Sequence, residues 1–370
     1  MHSGPSPEPL LFRARCVLNF AYHPANRFAY ASIVTYSFCE FDEGATQLWH
    51  LRESIFKMNH RRYVIIAPCR DEASHMRVTL DSVAAQSVLP TLFIVVDDGS
   101  TDETPQILQE YSEKMPYLRV VKRLNRGARS VGPGVIEAFY AGQETVNLED
   151  FDYVCKLDLD LDLPPKYFEI LINRMEAEPR LGTCSGKPYV RDSKTGTISP
   201  EVCGDEMSVG MTKFYRVSCF NEIGGFVRQV MWDGIDCHRC RMLGWLAESV
   251  DIPELRFIHL RPMGSSQKGI WTGRVRWGFG QYFMGTAPMY LVASAAFRVF
   301  HYPHLVGSAG MIYGFVQSAI HGNSRYDEPG FRDFLRRYQR ECLLHGKREA
   351  TRRANERQRT VWERKLKPSP

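Results

Sequence analysis

The chain has 370 residues, of which 44% are hydrophobic and 24% charged, with a formal net charge of +5. These totals exclude a disordered or collagen-like chain and leave room for one large domain or two small ones around a buried core. The charge is uneven: 13 Lys/Arg against 5 Asp/Glu fall between residue 330 and the C-terminus, so the basic character belongs to that segment. No recognised nucleic-acid motif accompanies it, so nucleic acid is not an expected partner.

Residues 1–57 mix Pro, His and aromatics without periodicity, and Met58 stands just before the first strand-like run. They read as a poorly ordered extension or as the product of a start codon assigned too early. No basic region followed by an apolar core marks a secretory signal. From residue 63 to 177 strand and helix patterns alternate. Apolar runs at 63–67, 92–96, 118–121 and 153–157 are separated by helix-like stretches at 74–86, 104–114 and 134–146. Ser100-Thr-Asp-Glu103 has the form of a capping box opening the second of these helices. Such alternation predicts an α/β fold, with a twisted, mostly parallel sheet flanked by helices.

Beyond residue 181 the strands are shorter and the pattern less regular. The ten cysteines form no framework, and Cys69, Cys155 and Cys219 sit in apolar runs, which suits reduced thiols in a cytoplasm. Cys237-His-Arg-Cys240 has the spacing of half a zinc site, but no second pair follows at the usual interval. Residues 285–329 are apolar, with Arg298 the one fixed charge between Gly285 and His321. The run between His304 and His321 is too short for a span of about 20 residues, and two short helices lying in a membrane interface, or packed on the domain, fit it better. Residues 330–370 follow as a basic amphipathic helix and tail. Phe331, Phe334, Leu335, Tyr338 and Cys342 recur there at helical spacing with arginines between them, so an anionic membrane surface is one expected partner. The expected location is cytoplasmic, peripheral at the inner face of a membrane.

The chemistry is concentrated in acidic clusters that end the apolar runs: Pro68-Cys-Arg-Asp-Glu72, Asp97-Asp-Gly-Ser100, Asp158-Leu-Asp160 and Trp232-Asp-Gly-Ile-Asp236. In an open α/β sheet, ligands bind beyond the carboxyl ends of the strands, so these carboxylates are expected to face one crevice. Asp158 and Asp160 alternate and point the same way, and paired oxygen ligands suit Mg²⁺ or Mn²⁺, which also bind phosphate oxygens. Asp98 and Glu72 are placed to accept hydrogen bonds from a nucleoside. Arg126 or Arg129, after the third strand, is placed to meet a phosphate or sugar hydroxyl.

These motifs resemble those of family 2 glycosyltransferases with the GT-A fold, over roughly residues 62–262, with the catalytic domain expected at 58–284. The family's Pro-x-Tyr-Asn-Glu becomes Pro68-Cys-Arg70-Asp-Glu72, with Arg70 in place of the aromatic. Its Val-Asp-Asp-Gly-Ser is intact, and the resemblance implies that Asp98 contacts the base. The metal motif maps onto Asp158 and Asp160, with His259 at a position that assists the metal. The family's general base lies eleven residues before a Gly-Trp ending, which gives Asp233; a shift of the gap gives Asp236 instead. Gly273-Arg274-Val-Arg276-Trp277 is similar to a Gln-Arg-x-Arg-Trp motif in which the tryptophan stacks on the acceptor sugar and an arginine meets the diphosphate. What the resemblance implies is an inverting transfer from a nucleotide-diphosphate sugar, most commonly a UDP-sugar, to a hydroxyl of a glycan or lipid-linked acceptor. A catalytically inactive relative acting as a membrane-associated scaffold and a sugar-phosphate nucleotidyltransferase are the alternatives. The second lacks its Gly-rich loop here.

Overall fold

A computed structural model describes residues 61–127, 132–192, 194–261, 269–300 and 304–366. The expectations for residues 1–57 and for Arg129 lie outside the described residues. In the first half β1 (Tyr63–Cys69), β2 (Leu92–Asp97), β3 (Leu118–Lys122) and β4 (Tyr153–Leu157) alternate with α1 (Met76–Ala84), α2 (Thr104–Lys114) and α3 (Pro133–Gln143). There follow β5 (Leu161–Asp162), α4 (Tyr167–Ala177), β6 (Leu181–Ser185), β7 (Lys187–Arg191), β8 (Ile198–Pro200), β9 (Thr212–Arg216), α5 (Val217–Glu222), α6 (Trp232–Met242), β10 (Leu246–Ser249) and β11 (Arg256–His259). Five helices of the site-flanking layer and C-terminal segment complete the chain: α7 (Ile270–Met284), α8 (Pro288–Val299), α9 (His304–Ile320), α10 (Phe331–His345) and α11 (Lys347–Arg357), with the short α12 (Arg359–Leu366) after them.

Seven strands form the main sheet in the order β10-β6-β9-β4-β1-β2-β3. Every pairing is parallel except those of β9, which runs against both β4 and β6. The expected mostly parallel α/β sheet is therefore the one observed. A sheet covered on both faces buries successive residues on opposite sides. In β1, Ile65 and Ala67 enter the core with Leu80, Val83 and Phe168, while Val64 and Ile66 meet Ile136 and Phe139 of α3. At Gly142 a Cβ would come within 2.7 Å of Val96 and 2.8 Å of Ile66, so α3 lies close on the sheet because this residue has no side chain.

A smaller sheet, β5-β11-β7-β8, pairs the end of β11 with β5, the short strand that follows β4. Its strands are two to five residues long. The helix after β2 begins where expected, at Thr104, but the capping box does not form. Asp102 caps it instead, its Oδ1 accepting from the Thr104 amide at 2.9 Å. Ser100 is engaged elsewhere, its Oγ accepting from the Asp71 amide at 3.0 Å. Thr104 Oγ1 takes the Glu72 amide and Asp102 Oδ2 the Ala73 amide. Three consecutive amides of the loop after β1 are thus held by side chains from the loop after β2, and the two strand ends are locked together.

The segment from α7 to α9 is a helical layer with close backbone approach. A Cβ at Gly278 would drive into the carbonyl oxygen of Met311, and one at Gly314 into that of Val275. Among the described residues no helix is long and apolar enough to cross a membrane. The stripe of α10 is buried: Phe331 and Leu335 pack with Ile235 of α6, and Tyr338 and Cys342 with Ala350 and Ala354 of α11. The chain after α10 returns to the α/β layers, where Trp362 meets Trp245 at 4.6 Å and Lys365 pairs with Glu222. The apolar side of this basic segment is therefore occupied by protein.

Candidate active site

The carboxyl ends of β1 to β4 lie side by side, and the sequence-singled acidic residues gather there. Asp97 closes its own turn, its Oδ1 accepting from the Ser100 amide at 2.9 Å. Gly99 has φ +76°, and a Cβ there would strike the Asn125 backbone, so only glycine fits. Asp98 is nearly buried and both its oxygens are engaged, Oδ1 by Arg123 at 2.8 Å and Oδ2 by Arg126 at 2.6 Å. Arg126 also reaches Glu137. Asp98 and Arg126 are thus brought together as a pair, with Arg123 as a member that sequence reasoning missed.

Pro68 lies within β1 opposite Val96. Arg70 is nearly buried, and its guanidinium donates to the Asp98 carbonyl at 2.9 Å and to Asn125 Oδ1 at 2.8 Å. The Arg70 side chain therefore holds the loops after β1 and β3 together. Asp71 stands at φ +51°, a conformation that Asp and Asn tolerate better than other side chains.

Lys156, Asp158 and Asp160 alternate along the end of β4. The Lys156 ammonium touches Asp158 Oδ1 and donates to the Gly210 carbonyl at 3.0 Å. It also stands 5.3 Å from the centre of the Trp232 ring, with Lys213 at 5.7 Å from the same ring. Gly210 borders Asp233 so closely that a Cβ on it would lie 2.8 Å from Asp233 Oδ2. The donor-side Asp158 and the candidate base Asp233 are in this way connected through one lysine and one glycine.

The two candidates for the base occupy different environments. Asp236 is 1% exposed, with Lys213 Nζ 2.6 Å from both carboxylate oxygens, Tyr215 OH 2.6 Å from one and the Cys237 amide 2.6 Å from the other. Both oxygens of Asp236 are thus engaged, and the carboxylate anchors α6 to β9. Asp233 is half-buried, and its carboxylate makes no hydrogen bond or ion pair among the described residues. Lys213 holds it by the backbone, donating to the Asp233 carbonyl at 2.7 Å. Met231, just before α6, has φ +68°, a strained position of the kind that collects at functional sites.

Asp160 is nearly buried. Arg261 Nε and Nη2 donate to its Oδ2 at 2.9 and 2.7 Å, and the same Nη2 reaches Glu72 at 2.9 Å. Burial alone would raise the Asp160 carboxyl, but His259 and Arg261 outweigh it and hold its pKa well below the usual range. His259 Nδ1 meets Glu201 at 2.7 Å and its Nε2 lies 3.6 Å from Asp160 Oδ2. Burial disfavours the charged ring, yet Asp160 and Glu201 raise its pKa to about 9. As a metal ligand it would have to shed that proton.

No three His, Cys, Asp or Glu side chains among the described residues are grouped as a ready metal cage. Two carboxylates and an imidazole nevertheless form a donor set of the right chemistry for Mg²⁺ or Mn²⁺. The fit is supported by Asp160 Oδ1, a buried carboxylate oxygen without a hydrogen-bond partner. Arg274, Arg276 and Trp277 lie on α7 away from these strand ends in sequence. The Trp277 ring has the Arg298 guanidinium 4.3 Å above its centre and Arg274 at 5.5 Å, so a sugar stacking there would have to displace an arginine. Cys237 and Cys240 are buried free thiols in the core beside α5, not half of a zinc site.

The acidic ends of a mostly parallel sheet lie where open α/β proteins bind their ligands. Residues 64–229 match the family model described as glycosyl transferase family 2. Poly-beta-1,6-N-acetyl-D-glucosamine synthase of Staphylococcus epidermidis is 23% identical over 233 residues, covering 57% of this chain and 52% of that protein. The protein of the same name in Staphylococcus aureus (strain COL) is 28% identical over 130 residues, covering 34% of this chain and 28% of its own. The chain therefore spans about half or less of these relatives. Among solved structures, S. aureus TarS 1-349 in complex with UDP-GlcNAc aligns with TM-score 0.47 and 14% identity over 82% of this chain and 92% of that one. A mannosyltransferase of Pyrobaculum calidifontis in complex with GDP-Man and Mn²⁺ aligns with TM-score 0.45 and 18% identity over 86% and 95%. Likenesses this loose carry no reading of ligand.

Proposed function

We propose that this chain transfers a sugar from a nucleotide-diphosphate sugar, a UDP-sugar first among them, to a hydroxyl of a glycan or lipid-linked acceptor, with inversion at the anomeric carbon. One observation carries the reading. A half-buried carboxylate, Asp233, without a hydrogen bond or ion pair among the described residues, borders Gly210, whose carbonyl holds the lysine that pairs with Asp158, within a stretch that matches a sugar-transferring family.

In this reading Asp233 takes the acceptor's proton as the hydroxyl attacks, and a carboxylate with no competing partner is suited to that task. Lys213 and Asp236 set its position from below by holding the first turn of α6. Asp98, with Arg123 and Arg126, and Glu72 orient the nucleoside and its ribose. Arg274, Arg276 and Trp277 serve the acceptor or the diphosphate. Asp158 and Asp160, with His259 beside them, would hold a divalent ion, which supplies Lewis-acid neutralisation of the diphosphate when bound.

Met289 and Val292 of α8, Phe300 just after it, and Leu305 and Ile320 of α9 are exposed. An apolar face of this kind suits the interface of an anionic membrane, which would place the enzyme peripherally at its cytoplasmic face.

The test of the function is release of UDP or GDP from a panel of nucleotide sugars with Mn²⁺, in wild type and in Asp233→Asn. The expected result is turnover of one donor, lost at least 100-fold in the variant with nucleotide binding unchanged. Full activity in Asp233→Asn would remove Asp233 from the chemistry.

A further inference from the structure

The chain supplies its own cations to both carboxylates of the Asp158-Leu-Asp160 element. β1 and β4 are parallel neighbours, so Glu72 and Asp160 finish side by side, each only 5% exposed. Two buried carboxylates this close repel each other unless a cation lies between them. Arg261 is that cation, its Nη2 lying 2.8 Å from Glu72 and 2.7 Å from Asp160. Asp158 has a second cation in Lys156.

The two cations are not held alike. Lys156 is 2% exposed and fixed by Asp158, the Gly210 carbonyl and the Trp232 ring. The Arg261 side chain is 25% exposed, stands just beyond β11, and among the described residues holds only carboxylates. Its planar fork matches a diphosphate as well as it matches a carboxylate pair. Asp160 meanwhile keeps one buried oxygen, Oδ1, without a hydrogen-bond partner among the described residues.

Resting on the sugar-transfer reading above, we propose that Arg261 is a displaceable counter-ion. In the free protein it occupies the cation's place between Glu72 and Asp160. On donor binding the guanidinium passes to the incoming diphosphate and leaves Asp160 to the divalent ion. The consequence is a required pairing: metal alone binds weakly, because it competes with a guanidinium already present, and metal with nucleoside diphosphate binds well. This makes Arg261 a donor-binding residue that couples the two ligands.

Calorimetric titration of the full chain with MnCl₂ alone, and with MnCl₂ in the presence of UDP, tests this in wild type, Arg261→Ala and Arg261→Lys. In Arg261→Ala, Mn²⁺ alone is expected to bind at least tenfold more tightly than in wild type, while UDP loses at least tenfold in affinity. Arg261→Lys, which keeps the charge without the fork, should retain weak binding of Mn²⁺ alone and lose part of the UDP affinity; it also serves should the alanine variant fail to fold. If wild type binds UDP with Mn²⁺ but Arg261→Ala binds Mn²⁺ alone no more tightly than wild type does, the counter-ion assignment is overturned and the sugar-transfer reading stands. If neither UDP nor any other nucleoside diphosphate binds wild type, with or without Mn²⁺, both are overturned.

Discussion

Replacing Asp236 with Asn should destabilise the protein far more than replacing Asp233 with Asn, although the two lie one helical turn apart. Asp236 and Lys213 are 1% and 0% exposed and in contact at 2.6 Å, so the Asn variant leaves a buried ammonium without its counter-charge. Breaking one side of a buried pair costs about 3–5 kcal/mol. Asp233 has no ion pair to lose, and its removal from the first turn of α6 forfeits only a favourable helix-dipole interaction of about 0.3–1 kcal/mol. The urea midpoint of each variant, followed by tryptophan fluorescence at pH 7, should therefore separate them by at least about 2 kcal/mol. A double variant, Lys213→Met with Asp236→Leu, should recover most of the loss, since an apolar pair of similar volume can replace a buried ion pair. Equal destabilisation by the two Asn variants, or a double variant as unstable as the sum of its parts, would refute the assignment of Asp236 as anchor and reopen it as the base.

Three further outcomes follow from other parts of the molecule. His238 is buried between the rings of Phe331 and Tyr338, and burial lowers its pKa to about 3. Because the folded-state value lies below the unfolded one, stability is full above pH 6.5 and falls as the pH drops from there towards 3. The loss at pH 5 is about 2 kcal/mol, and thermal melts of His238→Phe should lack it. At Gly278 an alanine Cβ would meet the Met311 carbonyl, so Gly278→Ala should separate α7 from α9 at a cost of about 1–3 kcal/mol, measured by urea unfolding. The exposed face of α8 and α9 should carry the protein to the top of a density gradient with anionic vesicles, and Phe300→Ser with Leu305→Ser should reduce that flotation. A wild type that stays at the bottom would remove the membrane from the account.

The alternation of apolar runs and helix-like stretches between 63 and 177 was legible because each element is made by local periodicity, and the observed boundaries differ by at most three residues. The apolar stretch after 285 likewise resolved as two helices. The small sheet was not legible, since its strands are too short for a pattern and are paired across distant segments. The capping box misled because Ser100 competes for a long-range partner, the Asp71 amide, that local spacing cannot show. Among the site residues, the acidic strand ends and Arg126 were readable from position alone, whereas the cations Arg123, Lys156 and Arg261 were not singled out. A signal for two of them was present in the alternation of strands: Lys156 precedes Asp158 by two, and Arg261 follows His259 by two, so each points to the same side as its neighbour. The distinction between Asp233 and Asp236 had no such signal. It depends on Lys213 and Tyr215 reaching one of them from β9, a strand about 20 residues away.

The measurement that bears most directly on the account is calorimetric binding of UDP, GDP and dTDP, each with and without Mn²⁺, to wild type and to Asp160→Ala. The account predicts that one nucleotide binds in a metal-dependent manner and that Asp160→Ala abolishes this binding. Failure of all three to bind wild type, or equal binding to the variant, would contradict a donor site at the end of β4.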